Sequence, residues 1–225
     1  MITESTDSKI VIAIDGTAAS GKGTLARRLA DHLGYAYLDT GKLYRYVGNM
    51  IITSGFDPND ESKAISIAKD LAQKLTPSEL DDPKLLSDEA GQAASKVGQY
   101  KEVRSALLKY QKSFAKSPPE GAKGAILDGR DIGTVICPDA HLKLYVDASI
   151  QTRAKRRFKE LQSKGISVTY DAVLADMQER DERDSQRNEA PMKPASDAIM
   201  LDTSNMSIED VLQQVLALVA DRLQV

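Results

Sequence analysis

The 225-residue chain has no tryptophan, three phenylalanines, two histidines and one cysteine. The lone Cys137 excludes an intramolecular disulfide and suits a reducing compartment; beside Pro138 it reads as a small buried apolar residue. His32 and His141 lack any His, Cys or carboxylate spacing around them that suggests a metal, and read as surface or packing residues. No apolar run approaches the roughly 18 residues of a membrane span. The opening MITESTDSK is polar and acidic where an export signal would be basic and then apolar. Residues 1–8 are expected to form a loose tail, and the protein is expected in the cytoplasm with no membrane partner. A net charge of −3 leaves no chain-wide basic footprint for nucleic acid. What remains is an ordinary globular composition, 41% hydrophobic and 28% charged, long enough for one α/β domain and short for two.

There is no internal repeat and no low-complexity tract; the organisation lies in alternating patterns. KIVIAI (9–14) is a β-branched run ending at Asp15-Gly16, followed by helical spacing through Leu25, Leu29 and Leu33 to a stop at Gly34. YAYLDTG (35–41) predicts a second strand, and the next helix is expected to turn Leu43, Tyr46, Val47 and Met50 to one side. Residues 55–87 are polar and punctuated by Pro58, Pro77 and Pro83, which predicts inserted helices and turns. Ser87 caps a predicted helix to Val97, and another runs from Tyr100 to Phe114. GAILD (124–128), LKLYVDA (142–148) and IMLDT (199–203) read as buried strands. A basic helix follows Ser149 up to Lys164-Gly165, and a charged one spans Thr169 to Asn188. Ser207 and Asp210 open a last helix whose Val211, Val215, Leu216 and Val219 face the sheet. Strands separated by helices require a parallel sheet with right-handed crossovers.

DGTAASGKGT (15–24) is a glycine-rich loop between the first strand and its helix. Successive amides from Gly16, Thr17, Ala18, Ala19, Ser20 and Gly21 into Lys22, Gly23 and Thr24 can converge on phosphate oxygens, reinforced by the helix N-terminus. Lys22 adds a mobile full charge. The common pattern places a hydroxyl directly after the lysine; here Gly23 stands there and Thr24 carries the hydroxyl one place later, as in GKGT-type nucleoside monophosphate kinases.

Phosphoryl transfer between two polyanions needs cations outside that loop. Arg45, Arg104, Arg130 and the trio Arg180, Arg183 and Arg187 supply them. On a helix the trio and Asp184 fall within about 100° of arc; alone, that face also reads as a solvated stripe stitched by Arg180 and Asp184. Arg153, Arg156 and Arg157 form a second stripe on the preceding helix. Two such helices joined by SKGIS look like a lid over phosphates.

In IDGTAASGKGTLA, LDTGKLYR, AASKV, LLKYQKSF, LDGRDIGTVICPDA, RDERDSQR and LDTSNMSIEDV, the chain resembles the bacterial cytidylate kinases, in order and spacing over most of residues 10–220. The resemblance implies a P-loop nucleoside monophosphate kinase fold: a five-stranded parallel sheet flanked by helices, with an acceptor-binding insertion and a helical lid. Core segments fall at about 9–54, 98–149 and 195–225, the insertion at about 55–97, and the lid and basic helices at about 150–190. It further implies ATP and Mg²⁺ as cofactors, and CMP with dCMP as acceptors.

By the same resemblance Arg45, Arg130 and Arg187 match residues that hold the acceptor phosphate, within a site that takes in Thr40, Gly41 and Tyr44. Arg180 and Asp184 match residues at the ribose hydroxyls; Ser95, Arg104 and Asp131 match those that read the base. Lys22, Arg130, Arg183 and Arg187 are the expected catalytic cations. Cytosine offers an amino donor beside two acceptors, which a carboxylate and a guanidinium complement, whereas uracil reverses the pattern. Without the resemblance, Asp131 reads as a turn carboxylate and Ser95 as a helix-surface serine. Thr24 and Asp128 are expected to approach magnesium only through water, and Asp39 either braces Lys22 or joins the acceptor site.

The chain departs from the family pattern at Thr17, Thr40 and Lys42, the last expected to add charge near the acceptor phosphate. The stretch between Gly55 and Ser87 is shorter and more helical than the strand-rich insertion many bacterial members carry. The expected activity is ATP-dependent phosphorylation of CMP and dCMP by a monomer. The rivals are a kinase for UMP or AMP on the same scaffold, a GTP switch, whose guanine-reading Asn/Thr-Lys-x-Asp motif is missing, and a nucleic-acid ATPase, which the charge and the lack of aromatic-basic interleaving oppose.

Overall fold

A computed structural model describes residues 9–119 and 121–223; the tail expected at residues 1–8 lies outside the described residues. The strands are β1 (Ile10–Gly16), β2 (Ala36–Asp39), β3 (Gly124–Gly129), β4 (Leu142–Asp147) and β5 (Ile199–Asp202). They form one parallel sheet in the order β2-β3-β1-β4-β5. Its alternating side chains feed two apolar layers. Ile12 and Ile14 of β1 join Leu25 and Leu29 of α1 (Lys22–Leu33) and Val215 of α8 (Ile208–Leu223) on one face. Ala13 and Leu127 face the other way, toward Leu43 and Val47 of α2 (Thr40–Thr53) and Leu107 of α5 (Lys101–Lys116). Each fully buried Ile or Leu contributes about 1.5–3 kcal/mol, so the two layers fix the strand ends that carry the loops.

The segment expected as an insertion is helical, as its proline punctuation suggests. It comprises α3 (Glu61–Lys74), two 3₁₀ turns opened by Pro77 and Pro83, and α4 (Asp88–Val97). Ser87 caps α4 by accepting from Ala90 N at 3.1 Å. α6 (Ile150–Ser163) and α7 (Tyr170–Gln186) pack as a hairpin around Ala154, Leu161, Val173 and Met177, against which Ala18 and Ala19 of the glycine loop also pack.

Some expectations shift. β1 runs two residues past Ile14, because Asp15 and Gly16 pair with Tyr145 and Val146. The buried face of α2 is Leu43, Tyr44, Val47 and Ile51, while Met50 is exposed; Tyr44 is drawn inward beneath Arg104, whose guanidinium lies 5.3 Å from its ring centroid. On α8 Leu212 is buried beside Val211, Val215 and Val219, and Leu216 is only partly covered. Among the described residues no helix is long and apolar enough to cross a membrane.

Candidate active site

The connection from β1 leads outward past β3 to β2, whereas that from β3 crosses β1 to β4. The C-terminal ends of β1 and β3 therefore flank the crevice where ligands bind in open α/β sheets. Both conspicuous motifs sit there. Gly16 adopts φ +147°, which L side chains rarely do, and a Cβ on it would stand 1.9 Å from Val146 O, so the loop leaves the sheet only through glycine. Ala19 turns the loop in the left-handed region at φ 58°, which costs an L-residue roughly 1–2 kcal/mol. Outside groups take the loop carbonyls: Arg153 Nη1 donates to Ala18 O at 3.3 Å, Arg156 Nη1 to Ser20 O at 3.2 Å and Thr203 Oγ1 to Ser20 O at 2.9 Å. Thr17 Oγ1 donates to Asp147 Oδ1 at 2.6 Å, and Ser20 Oγ to Thr17 O at 3.0 Å. Carbonyls bound in this way leave the amides for a ligand. Gly21 begins α1 with no side-chain cap and no acidic residue in the first turn, so its N-terminal N–H groups are available to an anion.

Gly23 has a structural reason. A Cβ there would lie 3.1 Å from Asp128 Oδ2 and 3.6 Å from the Tyr37 hydroxyl, so the place of the usual hydroxyl is cleared for the carboxylate that ends β3. Tyr37 donates to Asp128 Oδ2 at 3.1 Å. Burial, then the neighbouring Asp39, push the Asp128 carboxyl up to about 7, against the pull of Lys22. Burial and Arg130 pull the Lys22 ammonium down to about 8. Thr40 Oγ1 donates to Asp128 O at 2.7 Å, tying α2 to β3, and a Cβ on Gly41 would stand 3.0 Å from Asp39 Oδ1.

Six cations, Lys22, Arg45, Arg104, Arg130, Arg180 and Arg187, and four carboxylates, Asp39, Asp128, Asp131 and Asp184, line one cleft. Arg45 Nη1 donates to Leu85 O at 2.9 Å and Ser87 O at 3.0 Å, docking the insertion onto α2. Arg130 Nε donates to Asp184 Oδ2 at 3.3 Å, and Ser95 Oγ to Asp184 Oδ1 at 2.9 Å. Against its own burial, Arg130 and Arg180 hold the Asp184 carboxyl below its usual range. Arg104 is paired with Asp131 Oδ2, while Arg187 Nη2 stands 3.8 Å from Asp131 Oδ1. The turn after α7 folds Ala190 back at φ 49°, and its carbonyl accepts Arg187 Nε at 2.7 Å. Burial and then the neighbouring Arg130 depress Arg180 to about 10, and burial and Arg104 lower Arg187. Buried Arg180 Nε and Arg187 Nη2 have no hydrogen-bond partner. A cleft with crowded, under-neutralised guanidinium groups is built to receive anions.

The predicted residues do not all meet here. Arg183 pairs with Glu179 on its own helix and does not line this cleft. Thr24 is exposed and lines a separate hollow with Ser20, Gly21 and Arg156, whereas Asp128 lies in the cationic cleft. Lys42 bonds Asp81 of the insertion at 3.3 Å and is not among the cleft-lining residues, because the first 3₁₀ turn brings a carboxylate to it. Ser95 faces Asp184, the expected ribose residue, which joins two roles the sequence kept apart. The anchoring by Thr203 and Arg156 was not anticipated. Only the run of cations at 153, 156 and 157 hinted at it, and the partners of Arg156, lying across the sheet end, were invisible.

Among the described residues no group of three or more His, Cys, Asp and Glu side chains could hold a metal directly. The carboxylates of Asp39 and Asp128 end neighbouring strands, and burial and then Asp39 push Asp128 upward; two carboxylates so placed fit a hydrated divalent cation held through water.

A glycine loop at the end of β1, an uncapped helix start and a convergent set of arginines define a P-loop phosphotransferase. The cytidylate kinase family model matches residues 12–221, and the chain belongs to that family. It is 55% identical to a cytidylate kinase of Rhodospirillum rubrum over 96% of this chain and 99% of that one. It is 53% identical to a cytidylate kinase of Paramagnetospirillum magneticum over 94% and 98%. An uncharacterised Eubacterium ventriosum protein of known structure shares the fold, with TM-score 0.55, 14% identity and coverage of 95% and 100%.

Proposed function

We propose that the protein transfers the γ-phosphate of ATP to CMP, and to dCMP, giving the diphosphate and ADP. One observation carries the reading: six cations against four carboxylates in a cleft at the switch point of the sheet, with two buried guanidinium nitrogens, Arg180 Nε and Arg187 Nη2, left without a hydrogen bond. The acceptor phosphate is already an oxyanion, so catalysis needs position and charge rather than a strong base. The loop amides and Lys22 hold the donor phosphates. Arg45, Arg130 and Arg187 clamp the acceptor phosphate, and Arg180 and Asp184, 3.9 Å apart, face the ribose with Ser95 beside them. At the inner end Asp131 accepts from the cytosine amino group, Arg104 donates to its acceptors, and Tyr44 backs the pair. The donor base enters the hollow walled by Leu25, Met206, Ile208 and Val211 with Arg156 above the loop. Asp39 and Asp128 would hold a hydrated magnesium ion, which would supply positive charge against the donor phosphates. The acceptor and donor sites call on no residue beyond this chain's own, and a monomer is the reading adopted; nucleotide substrates and the single cysteine support a cytoplasmic setting.

ADP release measured with CMP, dCMP, UMP and AMP as acceptors tests this: CMP and dCMP are expected to turn over well ahead of the others. Absence of CMP-dependent ADP release overturns the reading. Arg130→Ala is expected to cut turnover by about 10²–10⁴-fold with the fold intact; near-normal turnover removes Arg130 from the clamp.

A further inference from the structure

After β3 the chain makes a tight turn, Ile132–Ile136, closed by Val135 N at 2.9 Å and Ile136 N at 3.2 Å on Asp131 O. Its first amides need an acceptor. Asp131 occupies the N-cap position, where an aspartate ordinarily accepts from its own first turn, yet it makes no such bond; its carboxylate faces Arg104 and Arg187 instead. The cap comes from another strand. Asp15 Oδ1 accepts from Ile132 N at 2.7 Å and Oδ2 from Gly133 N at 2.8 Å, and Asp15 is 3% exposed. The same residue immediately precedes Gly16, the pivot of the phosphate loop. We propose that Asp15 is a positioning residue for acceptor specificity: by capping the turn in place of Asp131, it frees the Asp131 carboxylate to read the cytosine and fixes Arg130 in register with the donor loop.

The inference rests on the acceptor assignment above, and the two side chains divide the work. Asp131 turns Oδ2 to Arg104 and Oδ1 toward Arg187, so capping its own turn would draw the carboxylate away from them, whereas Asp15 is not among the cleft-lining residues. An amide at position 15 offers one acceptor and one donor to two N–H groups. One amide then loses its partner, and Asp131, one residue away, is the nearest replacement.

In Asp15→Asn the KM for CMP is expected to rise tenfold or more and the CMP-to-UMP ratio of kcat/KM to fall by a similar factor. ATP affinity is expected to stay within about twofold and the melting temperature within a few degrees. A purely structural role would lower stability and weaken both substrates together, and that outcome overturns the proposal, as does an unchanged CMP-to-UMP ratio. Amide hydrogen exchange on the unmodified protein decides the matter if the variant does not fold. Ile132 and Gly133 are expected to be protected as strongly as β1, and free exchange at both refutes the cap. The exchange readout does not depend on which nucleotide is phosphorylated, so a failed CMP assay and a failed cap are told apart.

Discussion

A serine at position 23 would restore the common loop pattern and place its Cβ 3.1 Å from Asp128 Oδ2. Asp128 is 3% exposed and held by Tyr37, so it has little room to retreat. Gly23→Ser is therefore expected to lower kcat about tenfold or more, equivalent to about 1.4 kcal/mol of lost transition-state stabilisation, and to cost about 1–3 kcal/mol of stability by overpacking. Steady-state kinetics and a urea midpoint check both. At this scale the sequence revealed residue types better than partners. Lys22, Arg45, Arg130 and Arg187 were legible because a glycine loop and clustered guanidinium groups have few uses together. That Asp15 caps a turn 117 positions away, or that Arg183 is taken by Glu179, depends on tertiary approach and on a choice between two nearby carboxylates that no spacing rule makes.

Between elements, two of the ion pairs at the α6–α7 hairpin differ in kind, Arg153 with Asp181 inside it and Arg157 with Asp88 between it and α4. Arg153 is 4% exposed and donates to Ala148 O at 2.9 Å, to Ala18 O and, at 2.6 Å, to Asp181 Oδ2, so one side chain links α6, α7 and the phosphate loop. Arg153→Met keeps the packing and strands these acceptors. Breaking a fully buried pair costs about 3–5 kcal/mol; because Asp181 is partly exposed, about 2–3 kcal/mol is expected, with a parallel loss of ATP affinity. Arg157 with Asp88 joins α6 to the start of α4, but the Asp88 side chain is 40% exposed, and Asp88→Asn is expected to shift stability by under about 1 kcal/mol. Urea melts of the two variants and titrations with ATP separate the cases. The elements themselves were largely legible: caps at Ser87 and Thr169, stops at Gly34 and Gly165 and β-branched runs are local signals. The buried face of α2 was not, because Arg104, on a helix some 60 residues later, draws Tyr44 inward.

For the molecule as a whole, the cleft is assembled against its own electrostatics, and the cost has a sign that pH can reveal. Burial raises Asp15 to about 6 against the hydrogen bonds from Gly133 and Ile132, and raises Asp128 to about 7 with Asp39 adding and Lys22 opposing. A carboxyl whose folded pKa lies above its unfolded value binds more protons when folded, so stability falls as pH rises from the unfolded pKa through the folded one. The folded-state carboxyls held below their usual range, Asp184 and Glu160 among them, exert the opposite slope only at more acidic pH. Between pH 5 and 8 the ligand-free protein is thus expected to lose stability as pH rises, by about 2–4 kcal/mol at most. That corresponds to a fall of roughly 5–15 °C in melting temperature. Asp15→Asn and Asp128→Asn should each flatten part of that slope. ATP and CMP together bring negative charge to the crowded guanidinium groups and should raise the melting temperature at neutral pH by mass action. Calorimetry across this range, with and without nucleotides, checks the prediction: a flat or rising profile for the ligand-free protein would mean that Asp15 and Asp128 stay ionised in the fold and that the backbone donors and cations around them outweigh their burial.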